Sequence, residues 1–274
     1  MPHFNDQGVL VPTIQQSPKL KQSSAAPSKK RTWMPVWIAS AIFAFCVIFG
    51  IIAITNLWPR LRQSIQRTAQ SQDFDKMKSI AAALNAYSNR YGTYPPPTVK
   101  DADGMPLYSW RVLVLPFMGY EDLYKKFDLA KPWDSAVNAN LFREMPIEFA
   151  SQNSPDALGN FETNYVLLVG AGTLFPPSGP VSKKGIDQPT LLIVETKNNC
   201  IWSCPGDLDL GRSFKVGNKP MVDLGGLYQD SFTAMTVDEE AMRFPLAVPQ
   251  SVLDALVTPN GGENVQASTF MAPK

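Results

Sequence analysis

The chain has 274 residues, room for one large domain or two small ones once any tail is set aside. Its 25 Lys+Arg against 24 Asp+Glu leave a net charge of +1, so no overall field recruits nucleic acid. The single histidine, His3, lies in a polar stretch, which excludes Ser-His-Asp, Cys-His and imidazole-zinc sites from the folded body; the expectation is a protein that is not an enzyme.

In chain order, residues 1–32 come first. They carry Lys19, Lys21, Lys29, Lys30 and Arg31 against Asp6, a local charge of +4, among Gln, Ser and Pro. Such a composition predicts a disordered basic tail. No aromatic residue is interleaved with the Lys/Arg cluster, so no nucleic-acid partner is expected. Residues 33–58 then read as a transmembrane helix. No charged residue occurs from Thr32 to Pro59, and Val36–Leu57 (VWIASAIFAFCVIFGIIAITNL) is almost wholly apolar. At 1.5 Å per residue this run spans about 33 Å, the thickness of a bilayer core. Trp33, Trp37 and Trp58 sit near its ends, where amphipathic rings favour the headgroup region. The run is longer than the apolar region of a signal peptide. Five Lys/Arg precede it, while Arg60, Arg62 and Arg67 follow. The positive-inside rule then places the N-terminus in the cytoplasm and the C-terminal body in the periplasm or at the cell surface.

Residues 59–94 read as a stalk helix. Phe74, Met77, Ile80, Ala81, Leu84, Tyr87 and Tyr91 recur at spacings of three and four and form one stripe, predicted to pack on a globular head. Pro59 is expected to kink the emergence from the span, and Gly92 with Tyr94-Pro95-Pro96-Pro97 ends the helix. Residues 95–265 then form the head. Ser109–Phe127 reads as two short helices parted near Gly119, and Ala136–Met145 as another. Tyr165–Gly170 and Thr190–Glu195 read as strands, and Ser231–Val237 with Ala241–Phe244 as a hairpin around Asp238-Glu239-Glu240. Ser251–Val257 reads as a closing helix, followed by a C-terminal tail over 266–274. The fold class is α+β: a membrane and stalk helix, then short helices and an antiparallel sheet.

Six stretches carry a family resemblance: Leu84–Pro95 (LNAYSNRYGTYP), Ser109–Pro116 (SWRVLVLP), Leu123–Asp134 (LYKKFDLAKPWD), Asn164–Gly170 (NYVLLVG), Leu192–Glu195 (LIVE) with Trp202, and Leu253–Glu263 (LDALVTPNGGE). In this order the chain resembles a large bacterial family abundant in planctomycetes, the domain of unknown function fifteen fifty-nine, which also carries a solute-binding-type label. The resemblance implies a pilin-like N-terminal helix and an exported α+β head. Two departures stand out. The family's prepilin-type Gly-Phe-Thr-Leu-x-Glu signal has no counterpart, since no Glu occurs between Met1 and Leu57. The late His-x9-Asp-Gly signature keeps its spacing from Tyr228 to Asp238, but Tyr replaces His and Glu239 replaces Gly.

The site candidates are Trp110, Arg111, Trp133, Asp134, Glu195 and Trp202. Two readings stand. They line an aromatic cleft for a glycan, peptide or solute, or the tryptophans are core anchors while Arg111 pairs with Asp134 or Glu195. Glu195 ends a strand of buried character and needs a cation or a raised pKa. Cys200 and Cys204, separated by Ile201-Trp202-Ser203, form either a disulfide or two free thiols. No cofactor or metal is expected; Gly170-Ala-Gly172 lacks the Lys and Ser/Thr of a phosphate-binding loop. The expected partners are the lipid bilayer, through residues 36–57, and envelope or pilin-like proteins. The alternative is a glycan- or solute-binding protein.

Overall fold

The computed structural model describes residues 35–154, 157–210, 224, 227–228, 231–259 and 267–271. The basic tail over 1–32, Trp33, and residues 266 and 272–274 of the expected C-terminal tail lie outside the described residues. The chain divides into two compact units, Met1–Leu57 and Trp58–Lys274.

Helix α1 (Val36–Tyr91) contributes to both. In the first unit its side chains bury almost nothing: Trp37, Phe43 and Phe45 are each about 70% exposed. Among the described residues this is the one helix long and apolar enough to cross a membrane. Its few polar groups are satisfied locally. Thr55 Oγ1 donates to Ile51 O at 2.9 Å and Asn56 Nδ2 to Ile52 O at 2.8 Å, which removes the cost of placing free donors in hydrocarbon. Pro59 lies inside the helix.

In the second unit α1 turns inward. Met77, Ile80, Ala81 and Leu84 have no exposed surface, as the stripe predicts. Its ends differ from that prediction: Phe74 and Tyr87 are half-buried and Tyr91 is 59% exposed. Gln70, Asp73, Asn85 and Ser88 are buried on α1 instead.

After α1 come β1 (Thr98–Lys100) and β2 (Pro106–Ser109), a small antiparallel pair. Next are α2 (Trp110–Val114), a 3-10 turn (Leu115–Met118) and α3 (Glu121–Lys126). Gly119, at φ 85°, makes the left-handed turn between the last two. Short 3-10 turns at Ala139–Glu144 and Ile147–Phe149 and the helical turn α4 (Ala157–Asn160) lead into the sheet. That sheet contains β3 (Glu162–Val166), β5 (Leu191–Ile201), β7 (Ser231–Thr236) and β8 (Ala241–Pro245), antiparallel in the order β3-β5-β7-β8. β4 (Leu168–Val169) and β6 (Leu208–Asp209) form a short parallel pair, and α5 (Gln250–Val257) follows the last strand. A 3-10 turn over Ala267–Phe270 and a bridge from Met271 to Met242 give ordered structure to part of the expected tail.

The sheet is buried on both faces. Leu192, Ile193 and Met235 join one apolar cluster with Met77, Ile80 and Leu84 of α1. Leu191, Val194, Phe232 and Phe244 join another with Leu253, Leu256 and Val257 of α5. This explains why β5 reads as a continuous apolar run rather than an alternating one.

The β7–β8 hairpin forms where expected, and its turn departs from a Gly-containing one in an instructive way. Glu239 takes φ 63°, the left-handed region that favours glycine. Its carboxylate is held: Asn85 Nδ2 donates to Glu239 Oε1 at 3.1 Å and to Val237 O at 2.9 Å, while Tyr94 Oη donates to Asn85 Oδ1 at 2.9 Å. Asn85 thus ties α1 to the hairpin. Asn85→Ala should cost about 1–2 kcal/mol, because it strands the buried Tyr94 hydroxyl, while Val237 O keeps its bond from Lys183 Nζ at 2.8 Å. Glu239→Gly should stay within about 1 kcal/mol of wild type, since relief of the backbone offsets the lost bond. Urea unfolding of both variants measures the difference.

Candidate functional site

The six predicted site residues fall into separate environments. Ser109 caps α2, its hydroxyl accepting from Arg111 N at 3.3 Å, and so presents Trp110 and Arg111 to the interior. Trp110 and Trp202 are fully buried. Phe149 lies between them, edge-on to Trp110 at 6.2 Å and stacked on Trp202 at 5.7 Å. Both indole N–H groups are engaged: Trp202 donates to Phe142 O at 2.8 Å and Trp110 to Asp207 Oδ1 at 3.1 Å. These rings anchor the core and present no stacking face to solvent. Trp133 packs partly buried against the same cluster and Asp134 is exposed.

Arg111 is fully buried, but neither expected partner holds it. Its guanidinium donates to Ser109 Oγ at 2.8 Å and Tyr165 O at 2.6 Å, approaches Asp207 Oδ1 at 3.5 Å, and lies 4.7 Å from the centre of the Trp110 ring. Asp207 is the counter-ion that the sequence reading missed. The flanking Gly206-Asp-Leu-Asp pattern gives no sign of a cation from α2. Burial pushes the Asp207 carboxyl up to about 6, against the opposing pull of Arg111.

Glu195 belongs to a second buried cluster, and its neighbour there is another acid. Asp73, on α1, is fully buried and accepts from Gln152 N at 2.7 Å, Ser151 Oγ at 2.9 Å and Tyr228 Oη at 2.9 Å. Ser151 Oγ also lies 3.4 Å from Glu195 Oε1, and Thr233 N donates to Glu195 Oε2 at 3.3 Å. The Ser151 hydroxyl thus sits between the two acids, within hydrogen-bond reach of both. Burial, then the Asp73 charge, pushes the Glu195 carboxyl up to about 8. The Tyr165 hydroxyl, buried beside both acids, is held far above the usual phenol range by burial and then by the Asp73 and Glu195 charges. One sequence signal marks Asp73: it stands four residues before Met77, on the same helical face as the apolar stripe.

Cys200 and Cys204 are free thiols here. Burial raises both, Cys204 to about 11, which keeps them protonated and weakly reactive near neutral pH.

The aromatic surface that does meet solvent is elsewhere. Tyr87, Tyr91, Phe117 and Tyr124 line a cleft of about 500 Å³ with Arg90 and Glu121 at its edge. Of the two tyrosines in the helical stripe, Tyr87 packs partly buried against the apolar cluster, and Tyr91 is exposed.

This is a mixed α+β protein with one candidate membrane helix, an antiparallel sheet and two closed polar nodes. More particularly, residues 67–182 match the model of the family described as a protein of unknown function (DUF1559), also named SBP_bac_10. The solute-binding-type label belongs to that family name. No curated protein and no solved structure matches the chain.

The Glu195 node sets a pH dependence with a definite sign. Between about pH 4.5, its ordinary value, and about 8, its folded value, the native state holds a proton that the unfolded chain releases. Rising pH therefore favours unfolding across that window, by at most about 1.4 kcal/mol per pH unit. Asp207 acts with the same sign between 3.8 and about 6. Stability should be greatest on the acidic side and decline up to about pH 8. Glu195→Gln, a neutral isostere, should flatten the curve between about pH 6.5 and 8. Urea midpoints across the range measure this.

Proposed function

We propose that the protein is a single-pass, membrane-anchored module with an extracytoplasmic α+β unit, and that it works by contact with other envelope components rather than by catalysis. The observation that carries this reading is the apolar segment of α1, long enough to cross a bilayer and left uncovered by the described residues. A helix of that composition is stable when lipid covers it. The layout of an apolar helical segment continuing into a head-packed one supports a pilin-like envelope role, as the family resemblance implies.

The non-catalytic reading rests on the state of the acids. Asp73 and Glu195 are the nearest candidates for paired carboxylate chemistry, yet both are fully buried and turned toward structural partners. Arg111 and Asp207 are likewise occupied by each other and by the backbone. The alternative of a glycan cleft built from Trp110, Trp133 and Trp202 loses its support because the first and last have no open face.

Orientation gives the test. With a tag at each end of the full chain, protease added to spheroplasts should remove the C-terminal tag and spare the N-terminal one until the membrane is opened. Protection of the C-terminal tag would overturn the extracytoplasmic assignment.

A further inference from the structure

We infer that the tyrosine cleft between the end of α1 and α3 is a binding site for an uncharged saccharide. The cleft lies wholly within the second unit and draws on three elements. Tyr87, Arg90 and Tyr91 occupy one face of α1 by their spacing of three and four residues. Phe117 comes from the 3-10 turn, and the left-handed Gly119 lets α3 fold back to supply Glu121 and Tyr124.

The rings form a tilted platform rather than a closed stack. Tyr87 and Tyr91 are 4.5 Å apart at 47°, and Phe117 meets them edge-on at 5.8 and 6.3 Å. Tyr91 keeps 59% of its surface open. A cleft of about 500 Å³ falls within the range of small-ligand sites. An exposed tyrosine face suits the C–H face of a pyranose ring, which is apolar on one side and ringed by hydroxyls.

The polar groups narrow the ligand class. The phenol hydroxyls of Tyr87, Tyr91 and Tyr124 have no hydrogen-bond partner among the described residues, nor do the Arg90 guanidinium and the Glu121 carboxylate have one. Burial, then the neighbouring Tyr91 and Tyr124, raises the Tyr87 phenol, and all three tyrosines line the one cleft. Each can donate and accept, as vicinal sugar hydroxyls require. Lys125, at the same edge, is held by Asp122 at 3.2 Å. The unpartnered charges are therefore one cation and one anion. Both are exposed and hydrated, and a polyol can hydrogen-bond to the two together, accepting from the guanidinium and donating to the carboxylate. A quaternary ammonium is disfavoured, because Arg90 already stands 5.7 Å from the Tyr91 ring centre.

The test uses the full chain in lipid nanodiscs, since sugar-headed detergents would compete, applied to an array of neutral, acidic and amino-sugar oligosaccharides. Neutral oligosaccharides should be retained. Calorimetric titration with the best of them should show at least tenfold weaker binding for Tyr91→Ala and several-fold weaker binding for Glu121→Gln. Both positions are exposed, so melting temperatures should match wild type. Retention of acidic glycans alone, no retention at all, or undiminished binding by folded Tyr91→Ala would overturn the assignment. Its failure leaves the orientation experiment unaffected, and the reverse also holds.

Discussion

The rest of the structure depends on one constraint on α1: a run of 22 residues without charge, rich in Ile, Val and Phe, that the protein itself does not cover. Each such side chain favours the bilayer centre by about 0.3–0.6 kcal/mol, so the run as a whole gains several kcal/mol from lipid. No comparable cover exists in water. The helix does not stop at the end of this run, and its later turns supply core residues to the α+β unit. The helix that carries the candidate membrane segment thus also supplies core residues to the second unit.

What holds those later turns is only partly hydrophobic. A stripe of Met77, Ile80, Ala81 and Leu84 gives affinity for the sheet but tolerates small slips along the axis. Two polar clamps remove that freedom. Asp73 binds Ser151, Gln152 and Tyr228, and twelve residues on, Asn85 binds Val237, Glu239 and Tyr94. Buried, directional bonds at two places along a helix specify its rotation and register in a way that apolar contact does not. The Tyr228 hydroxyl and the Glu239 carboxylate are the far ends of these two clamps.

Much of this was legible in the sequence where periodicity and composition act locally: the apolar run, the helical stripe, the break at Gly119, the β7–β8 hairpin and the final helix. Burial of Trp110 and Trp202 was open between two readings, because an indole beside a charge looks the same in a cleft and in a core. Packing on Phe149 decides it, and that contact spans 39 residues on one side and 53 on the other. Long-range pairing also hid Asp207 as the partner of Arg111, and Ser151 and Tyr228 as partners of Asp73. Tyr91 misled for a different reason. Helical spacing locates a face, but not where along that face the neighbouring element ends.

The central claim is that α1 is inserted in lipid. Alkaline carbonate washing of membranes that carry the full chain tests it most directly, because it strips proteins held by electrostatic or protein–protein contact and leaves those held by hydrocarbon. The account predicts that the protein stays in the membrane pellet and leaves it only with detergent. Release into the carbonate supernatant would contradict it.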